Sequence, residues 1–167
     1  MATCILNQTE QVNMAAILLD GHGYVGPAGT PVTMTCVMAE AAKQQIDPAV
    51  LLAVLRTENG RTGKATKNRN GSYDVGPFQI NNSRSSPIWK LAGQMGMSVE
   101  QFGTKLAYDG CFSAGIGAWM LRHKINLAGN NVWKGVQWYN SANAVGKRYV
   151  VKVANKYRPI RHEYGMQ

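Results

Sequence analysis

Glu58 is the residue whose place in the sequence most strongly suggests chemistry. It lies near the end of the apolar run VLLAVLRTENG at residues 50–60, which has the composition of a buried helix and stops at an Asn-Gly pair. On that helix Glu58 shares a face with Leu51 and Val54. Burial beside apolar groups and the negative end of the helix dipole both disfavour the ionised carboxylate, so we expect a raised pKa for Glu58. A carboxylic acid that is protonated near neutral pH suits general acid catalysis.

Asp74 is a second carboxylate that could act in the same reaction. It follows Glu58 by sixteen residues, in a segment at 60–83 that is rich in Gly, Asn and Ser and is predicted to form loops and a small sheet. There it could face Glu58 across a cleft, and polar neighbours would keep it ionised. Two carboxyl groups that flank one bond, one protonated and one ionised, suit the cleavage of a glycosidic bond.

Both acids also have structural alternatives. Glu58 could pair with Arg56, with Arg61 or with a backbone amide. Asp74 could end a turn through hydrogen bonds from its side chain to the backbone. The residues alone leave these alternatives open.

The elements that would position the two acids predict a mostly helical α+β domain with a small sheet. Apolar residues recur near the helical period over residues 32–46, and Asp47-Pro48 predicts the start of the helix that carries Glu58. Ser98 begins a capping box for a helix to about residue 107. Three further helices are predicted at 111–127, at 132–140 after the N-cap Asn131, and at 144–157, with Pro159 ending the last.

Residues 1–32 are predicted to form an N-terminal arm that precedes a domain at 33–167. Residues 21–31 are rich in Gly and Pro and are predicted to be loop, and one short helix could form at 9–20. No apolar run is long enough to span a membrane. The first basic residue is Lys43, so the N-terminus lacks the positive region of a signal peptide. If the protein is exported, we expect its signal to have been removed from this sequence.

The positive charge is concentrated after residue 42. The net charge is +9; residues 1–42 hold three of the nine acids and no base, so the rest has 18 bases, six acids and a charge of +12. Such a field attracts anionic polymers such as nucleic acid, lipid head groups or cell-wall polymers. A generic basic surface explains the charge equally well, and no aromatic-basic pattern supports nucleic-acid binding.

The cysteines and histidines do not predict a metal site. The three cysteines show no CxxC spacing, and the histidines lie far apart in the sequence. An odd number of cysteines leaves open one disulfide with a leftover thiol, or three reduced thiols in a cytosolic protein. The residues are Cys4, Cys36 and Cys111, and His22, His123 and His162.

Several blocks taken together resemble the soluble lytic transglycosylase domain. They follow one another in the expected order within residues 36–158, and the subgroup they resemble most is that of small periplasmic enzymes attached to secretion and conjugation machines. The blocks are TENG at 57–60, AxxNxNGSYDVGPFQIN at 65–81, GAWMLRHKI at 117–125, WYNS at 138–141 and RYVVKV at 148–153.

The resemblance implies a lysozyme-like fold and cleavage of the β-1,4 bond between N-acetylmuramic acid and N-acetylglucosamine in peptidoglycan. Glu58 matches the catalytic acid of that family. It would protonate the leaving oxygen and then act as base for the muramoyl 6-hydroxyl, so that the product is a 1,6-anhydro sugar. No cofactor is needed.

The resemblance also suggests roles for other residues. Gln79 and Asn81 fall where the family lines its glycan groove, and Tyr139 falls on a tyrosine placed near the acid. Phe78 could stack on a sugar face or fill the core. Three tryptophans are interpreted as core residues, namely Trp119, Trp133 and Trp138.

Cys36 and Cys111 match cysteines that are common in this subgroup, which implies a disulfide between them and an oxidising compartment, either the periplasm or the exterior. Cys4 has no counterpart and could be a free thiol.

Two departures and one retained residue complicate the resemblance. Asn59 follows the acid where Ser is common, so an orienting hydrogen bond would come from the amide or be absent. AVGK at 144–147 replaces a stretch that often contains Glu. Asp74 resembles the second carboxylate of animal-type lysozymes, which makes a hydrolytic lysozyme with Glu58 and Asp74 an alternative. A non-catalytic wall-binding adaptor is another.

Overall fold

Seven helices and a small sheet make up the part of the chain that the computed structural model describes, namely residues 24–25 and 29–166. The predicted mostly helical α+β class is confirmed. None of the helices within these ranges is long and apolar enough to cross a membrane. The helices are α1 Met34–Lys43, α2 Pro48–Glu58, α3 Ile88–Gln94, α4 Val99–Tyr108, α5 Gly110–Leu127, α6 Val132–Asn140 and α7 Ala144–Glu163. The strands are β1 Tyr24–Val25, β2 Lys64–Lys67, β3 Tyr73–Val75 and β4 Ile80–Asn81.

The sheet is an antiparallel meander in the order β1-β2-β3-β4. Its β2–β3 connection is a tight turn in which the Gly71 N–H donates to the Asn68 carbonyl over 3.0 Å. Between β3 and β4 the register places Asp74 directly opposite Asn81. Two residues that the sequence links to the site are therefore cross-strand neighbours on one edge of the sheet.

Strand β1 lies inside the segment at 21–31 that was predicted to be loop. It pairs with β2 so that Tyr24 is opposite Ala65 and Val25 is opposite Lys64. Further along, the Thr30 N–H donates to the Tyr108 carbonyl over 2.9 Å, where α4 meets α5. The described part of the N-terminal region is thus attached to the sheet and to the helices. The helix predicted at 9–20 lies outside the described residues.

Helix α2 forms the centre of the core. Asp47 caps its start by accepting a hydrogen bond from the Ala49 N–H over 2.8 Å, and Pro48 occupies its first turn, as predicted. Its residues 49–54 are all buried, because the run AVLLAV is apolar on every side. Helices α5 and α7 pack against it. An element this enclosed holds its last residue, Glu58, at a fixed place.

A disulfide joins Cys36 on α1 to Cys111 on α5, with the Cα atoms 5.3 Å apart. The two residues are 75 positions apart in the sequence. On the chain-entropy account, closing a loop of that length stabilises the folded state by about 4 kcal/mol.

Helix α7 continues through Pro159 to Glu163, so the prediction that it ends before Pro159 was wrong. Proline inside a helix removes one backbone hydrogen bond. Contacts that follow it hold the last turns in place: Ile160 is fully buried, and Glu163 pairs with Arg56 over 3.0 Å. Tertiary contacts have overridden the local preference of proline for a helix end.

Candidate active site

An open cleft of about 710 Å³ separates the sheet from the helices α5 and α6. One wall comes from the strands and their turns, and the other comes from α5, α6 and the residues that follow α6. Five residues singled out in the sequence line it together, namely Glu58, Asp74, Gln79, Asn81 and Tyr139. Phe78, the sixth, does not.

Glu58 is brought to the cleft by the way in which α2 ends. Asn59 adopts a left-handed conformation with φ of 51°, and its N–H donates to the Leu55 carbonyl over 3.1 Å. The chain then passes under the turn between β3 and β4. A Cβ atom on Gly60 would lie only 2.2 Å from the Gly76 carbonyl oxygen, so this close approach requires glycine.

The surroundings of Glu58 raise its pKa from 4.5 to about 7. Removal of the carboxyl group from water is the largest cause, and the charge of Asp74 adds a smaller increase. A hydrogen bond from Tyr149 acts in the opposite direction and lowers the pKa. Burial and the charge of Asp74 therefore both favour the protonated form of Glu58, and the acid is partly protonated at neutral pH.

The ion-pair alternative for Glu58 is not found within residues 29–166. Arg56 instead donates hydrogen bonds to Glu163 and to the Tyr164 hydroxyl, 3.0 and 3.1 Å away. Arg61 is exposed, and no ion pair to it is formed among the described residues. Among the described residues, Asp74 is thus the charged group that acts on the Glu58 carboxyl group, which is largely removed from water but lines the cleft.

Tyr149 on α7 is the partner that sequence reasoning missed. Its hydroxyl donates to Oε1 of Glu58 over 2.6 Å, and this contact joins residues 91 positions apart. Burial is the largest cause of a raised Tyr149 pKa, so the hydroxyl stays protonated and is able to donate. The orienting bond was expected to come from the Asn59 amide or to be absent, and this tyrosine supplies it instead. Its place in the RYVVKV block and its spacing of four from the buried Val153 were the available signs.

Tyr139 lies near the acid, but its hydroxyl is used elsewhere. The hydroxyl donates to the Phe78 carbonyl over 2.9 Å. The pKa of Tyr139 lies well above its usual value, mainly because the hydroxyl is buried and also because of the charge of Glu58. The ring therefore forms part of the cleft wall, and the bond ties α6 to the turn that precedes β4.

Phe78 fills the core, and its side chain does not reach the cleft. The ring is fully buried, and a Cβ atom on Gly117 of α5 would lie 2.6 Å from it. The absence of a side chain at Gly117 creates the space that the ring occupies. Stacking of Phe78 on a sugar is therefore ruled out in this structure, and only its carbonyl takes part in the site.

Asp74 lies in a polar network on the sheet wall. Asn81 donates through Nδ2 to Asp74 Oδ1 over 2.8 Å and to Ser72 Oγ over 2.9 Å. The Ser72 hydroxyl in turn donates to Asn70 Oδ1 over 2.7 Å. Asn81 therefore both lines the cleft and fixes one oxygen of Asp74.

Gln79 is held by the turn in which it lies. Its backbone adopts a left-handed conformation with φ of 49°, and its Nε2 donates to the Gly76 carbonyl over 3.0 Å. The side chain is half-buried and lines the cleft beside the two acids.

The interpretation of the tryptophans as core residues was wrong for Trp133 and Trp138, whereas Trp119 packs against the core. Trp133 is 37% exposed and packs edge-on against Tyr157. Trp119 and Trp138 are half-buried, and Trp138 forms part of the cleft wall. Large aromatic rings on amphipathic helices often lie at the border of the core, where one edge faces solvent.

Comparison with known proteins gives a family for this fold and cleft. Residues 35–158 match the family described as the Transglycosylase SLT domain. The chain belongs to the transglycosylase SLT domain family. The predicted resemblance is confirmed, and the protein is a lytic transglycosylase that acts on peptidoglycan.

Relatives of this SLT domain protein occur in Salmonella. The chain is 30% identical over 122 residues to the invasion protein IagB of Salmonella typhimurium, in the strains SL1344 and LT2. The same identity is found with IagB of Salmonella typhi. Each match covers 70% of this chain and 71% of the relative.

Proposed function

We propose that this transglycosylase cleaves the N-acetylmuramic acid-β-1,4-N-acetylglucosamine bond with Glu58 as its single acid and base, and that it leaves 1,6-anhydromuramoyl ends. The observation that carries the proposal is a carboxyl group with a pKa of about 7 in the wall of a cleft. A group whose pKa lies near the working pH can give up a proton in one step and take one back in the next.

The first step breaks the glycosidic bond. Protonated Glu58 donates its proton to the leaving oxygen, while the acetamido group of the substrate stabilises the positive charge that develops on the sugar. Glu58 is then a carboxylate, and the Tyr149 hydroxyl, 2.6 Å from its Oε1, holds it in place. A hydrogen bond to the ionised form is the stronger kind, so Tyr149 helps most at this stage.

The second step closes the anhydro ring. The carboxylate of Glu58 removes the proton from the muramoyl 6-hydroxyl, whose oxygen bonds to the anomeric carbon. The acid is restored to its starting form, and no water is consumed. Gln79, Asn81 and Tyr139, which line the same cleft, would contact the glycan on either side of the scissile bond.

Hydrolysis is the second candidate, and Asp74 is the observation that favours it. Asp74 lies in the same cleft and its charge acts on Glu58, as expected of a second carboxylate in a lysozyme. In that reaction water replaces the 6-hydroxyl, and Asp74 stabilises the sugar cation or bonds to it.

Mass spectrometry of the released muropeptides separates the two reactions. An anhydro end is lighter than a reducing end by one water. We expect products of purified peptidoglycan to carry anhydro ends from the earliest time point. Reducing ends alone would overturn the proposal in favour of hydrolysis.

We also propose that the enzyme works in the periplasm or outside the cell, where it opens the wall locally for an envelope-spanning secretion or conjugation machine. The disulfide between Cys36 and Cys111 supports an oxidising compartment. The resemblance of its sequence blocks to small periplasmic enzymes attached to such machines supports the link, and its Salmonella relative is named an invasion protein. Cells in which Glu58→Gln replaces the wild-type residue should export less through the machine at unchanged enzyme levels. Unchanged export would contradict this role.

A further inference from the structure

Two basic side chains line the cleft and have no acidic partner among the described residues. Arg69 comes from the turn between β2 and β3, and Lys124 comes from α5 on the other wall. The ion pairs within residues 29–166 involve other residues, namely Lys43 with Glu40 and Arg56 with Glu163. Neither cleft cation makes a hydrogen bond within that range. Within the described residues, the Arg69 guanidinium and the Lys124 ammonium are therefore available to bind a ligand.

Lys124 is the more enclosed of these two cations. It is half-buried, whereas Arg69 is exposed. It follows Met120 by one helical turn, and both residues line the cleft. A cation that has lost part of its hydration gains more from an anionic ligand than a fully solvated one does.

Trp138 on α6 lines the cleft along with Lys124. The Lys134 ammonium lies 5.1 Å from the centre of its ring, so one face of the indole is covered by a cation. An exposed aromatic surface within a cleft is suited to packing against the apolar face of a sugar ring. A sugar platform and a free cation are therefore found in the same cleft.

We propose that Lys124, assisted by Arg69 and Trp138, forms a subsite for a sugar that carries a carboxylate, and that it selects muramoyl residues over neutral amino sugars. This rests on the proposed function, glycan cleavage in the cleft. N-acetylmuramic acid differs from N-acetylglucosamine by a lactyl group on O3. That group either ends in a free carboxylate or carries a peptide with carboxylates of its own. Both sources present the same chemistry to Lys124.

The competing explanation is long-range attraction by the strongly basic surface as a whole. A matched control distinguishes the two. Lys156 lies exposed on α7 and does not line the cleft, so Lys156→Gln removes the same charge without touching the subsite. Gln is a good helix former, so both substitutions preserve their helices, and equal melting temperatures would verify this.

Binding is measured in the Glu58→Gln background, by co-sedimentation with insoluble peptidoglycan, so that turnover does not interfere. We expect Lys124→Gln to weaken binding to native peptidoglycan about fivefold, the effect of one partly exposed ion pair. On peptidoglycan whose carboxylates have been converted to methylamides, the same substitution should have no effect. Trp138→Ala should weaken binding to both materials, because packing on a sugar does not depend on charge.

Peptide-free glycan strands identify the source of the carboxylate. A Lys124→Gln effect that persists on these strands assigns the lactyl carboxylate, and an effect seen only on peptide-bearing material assigns the peptide. Equal effects of Lys124→Gln and Lys156→Gln, or an undiminished Lys124→Gln effect on methylamidated material, would overturn the proposal. Because binding alone is read, these outcomes are independent of whether the active enzyme forms anhydro ends.

Discussion

Glu58 and Asp74 carry the same functional group and line the same cleft, but the residues that surround the two carboxyl groups differ. Glu58 ends an apolar helix, and the one hydrogen bond formed by its carboxyl group within the described residues comes from Tyr149. Asp74 lies on a strand where Asn81 donates to it within a network of polar side chains. We call the surroundings of Glu58, at the end of α2 beside Tyr149, the dry wall, and the surroundings of Asp74, on β3 and β4, the polar wall. Removal of the Glu58 carboxyl group from water raises its pKa to about 7.

The raised pKa of Glu58 thus comes from its surroundings and not from the type of residue. The two carboxyl groups also interact electrostatically. The charge of Asp74 raises the pKa of Glu58 and so helps to keep the acid protonated. On the proposed mechanism, the polar wall acts through this charge even where Asp74 forms no bond to the substrate.

The largest expected effect comes from removing the acid of the dry wall. Glu58→Gln has nearly the same shape but cannot transfer a proton, so we expect the rate of glycan cleavage to fall about 10³-fold. Release of soluble muropeptides from purified peptidoglycan measures it. Binding to peptidoglycan in the same variant serves as the control for folding. A variant that retained most of its activity would remove Glu58 from the reaction.

The same substitution should change how stability depends on pH. The folded pKa of about 7 lies above the unfolded value of 4.5, so the folded state holds a proton that the unfolded state has released between these values. The contribution of Glu58 to wild-type stability therefore falls as pH rises from 4.5 to 7, by up to about 3 kcal/mol. Gln does not titrate. Denaturant unfolding should show Glu58→Gln to be more stable than wild type at pH 8 and equal to it at pH 4, and a gap of the same size at both values would contradict the assignment.

Tyr149→Phe tests the hydrogen bond that the Glu58 carboxyl group accepts from Tyr149. Loss of the orienting hydrogen bond should reduce kcat about tenfold. Since that bond lowers the pKa of Glu58, its loss raises the pKa, and the fall of activity at high pH should move to higher pH. Tyr139→Phe is the matched control, because that hydroxyl bonds the Phe78 carbonyl and not the acid. Equal shifts in the two variants would show that Tyr149 has no special coupling to Glu58.

Asp74→Asn tests the polar wall and should have a smaller effect. Removing the negative charge lowers the pKa of Glu58, so the fall of activity should move to lower pH. If Asp74 acts only through this charge, kcat at the new optimum changes by less than about tenfold. A loss of about 10² or more would show that Asp74 takes part in the reaction directly, as in hydrolysis.

Ionic strength should have the mildest effect. The basic surface attracts an anionic wall, and salt screens that attraction over a distance of about 10 Å at 0.1 M. Activity on intact peptidoglycan should decline gradually as salt is added. A flat profile would indicate that the charge plays no part in wall binding.

The parts of the fold that could be read from the sequence are those with local causes. The cap at Asp47, the apolar run of α2 and the capping box at Ser98 each depend on residues within a few positions of one another. The raised pKa of Glu58 could be anticipated for the same reason, because its own helix supplies apolar neighbours. Helix α3 could not, since the helix is only seven residues long and Pro87 gives it no side-chain cap.

The features that were missed depend on contacts between distant residues. Tyr149 reaches Glu58 across 91 positions, and although its place in the RYVVKV block drew attention to it, no pattern in the sequence gave Glu58 as its partner. Phe78 could have served a sugar or the core, and the space at Gly117 decides in favour of the core. Helix α7 passes Pro159 because buried Ile160 and the pairing of Glu163 hold it beyond that point.

The protonation of Glu58 in the folded enzyme can be measured directly. In protein with ¹³C-labelled glutamate carboxyl groups, the resonance absent from Glu58→Gln identifies this residue, and its chemical shift is followed with pH. We expect a titration midpoint near 7. A midpoint near 4.5, the ordinary value for glutamate, would contradict the claim that burial at the end of α2 keeps Glu58 partly protonated at neutral pH.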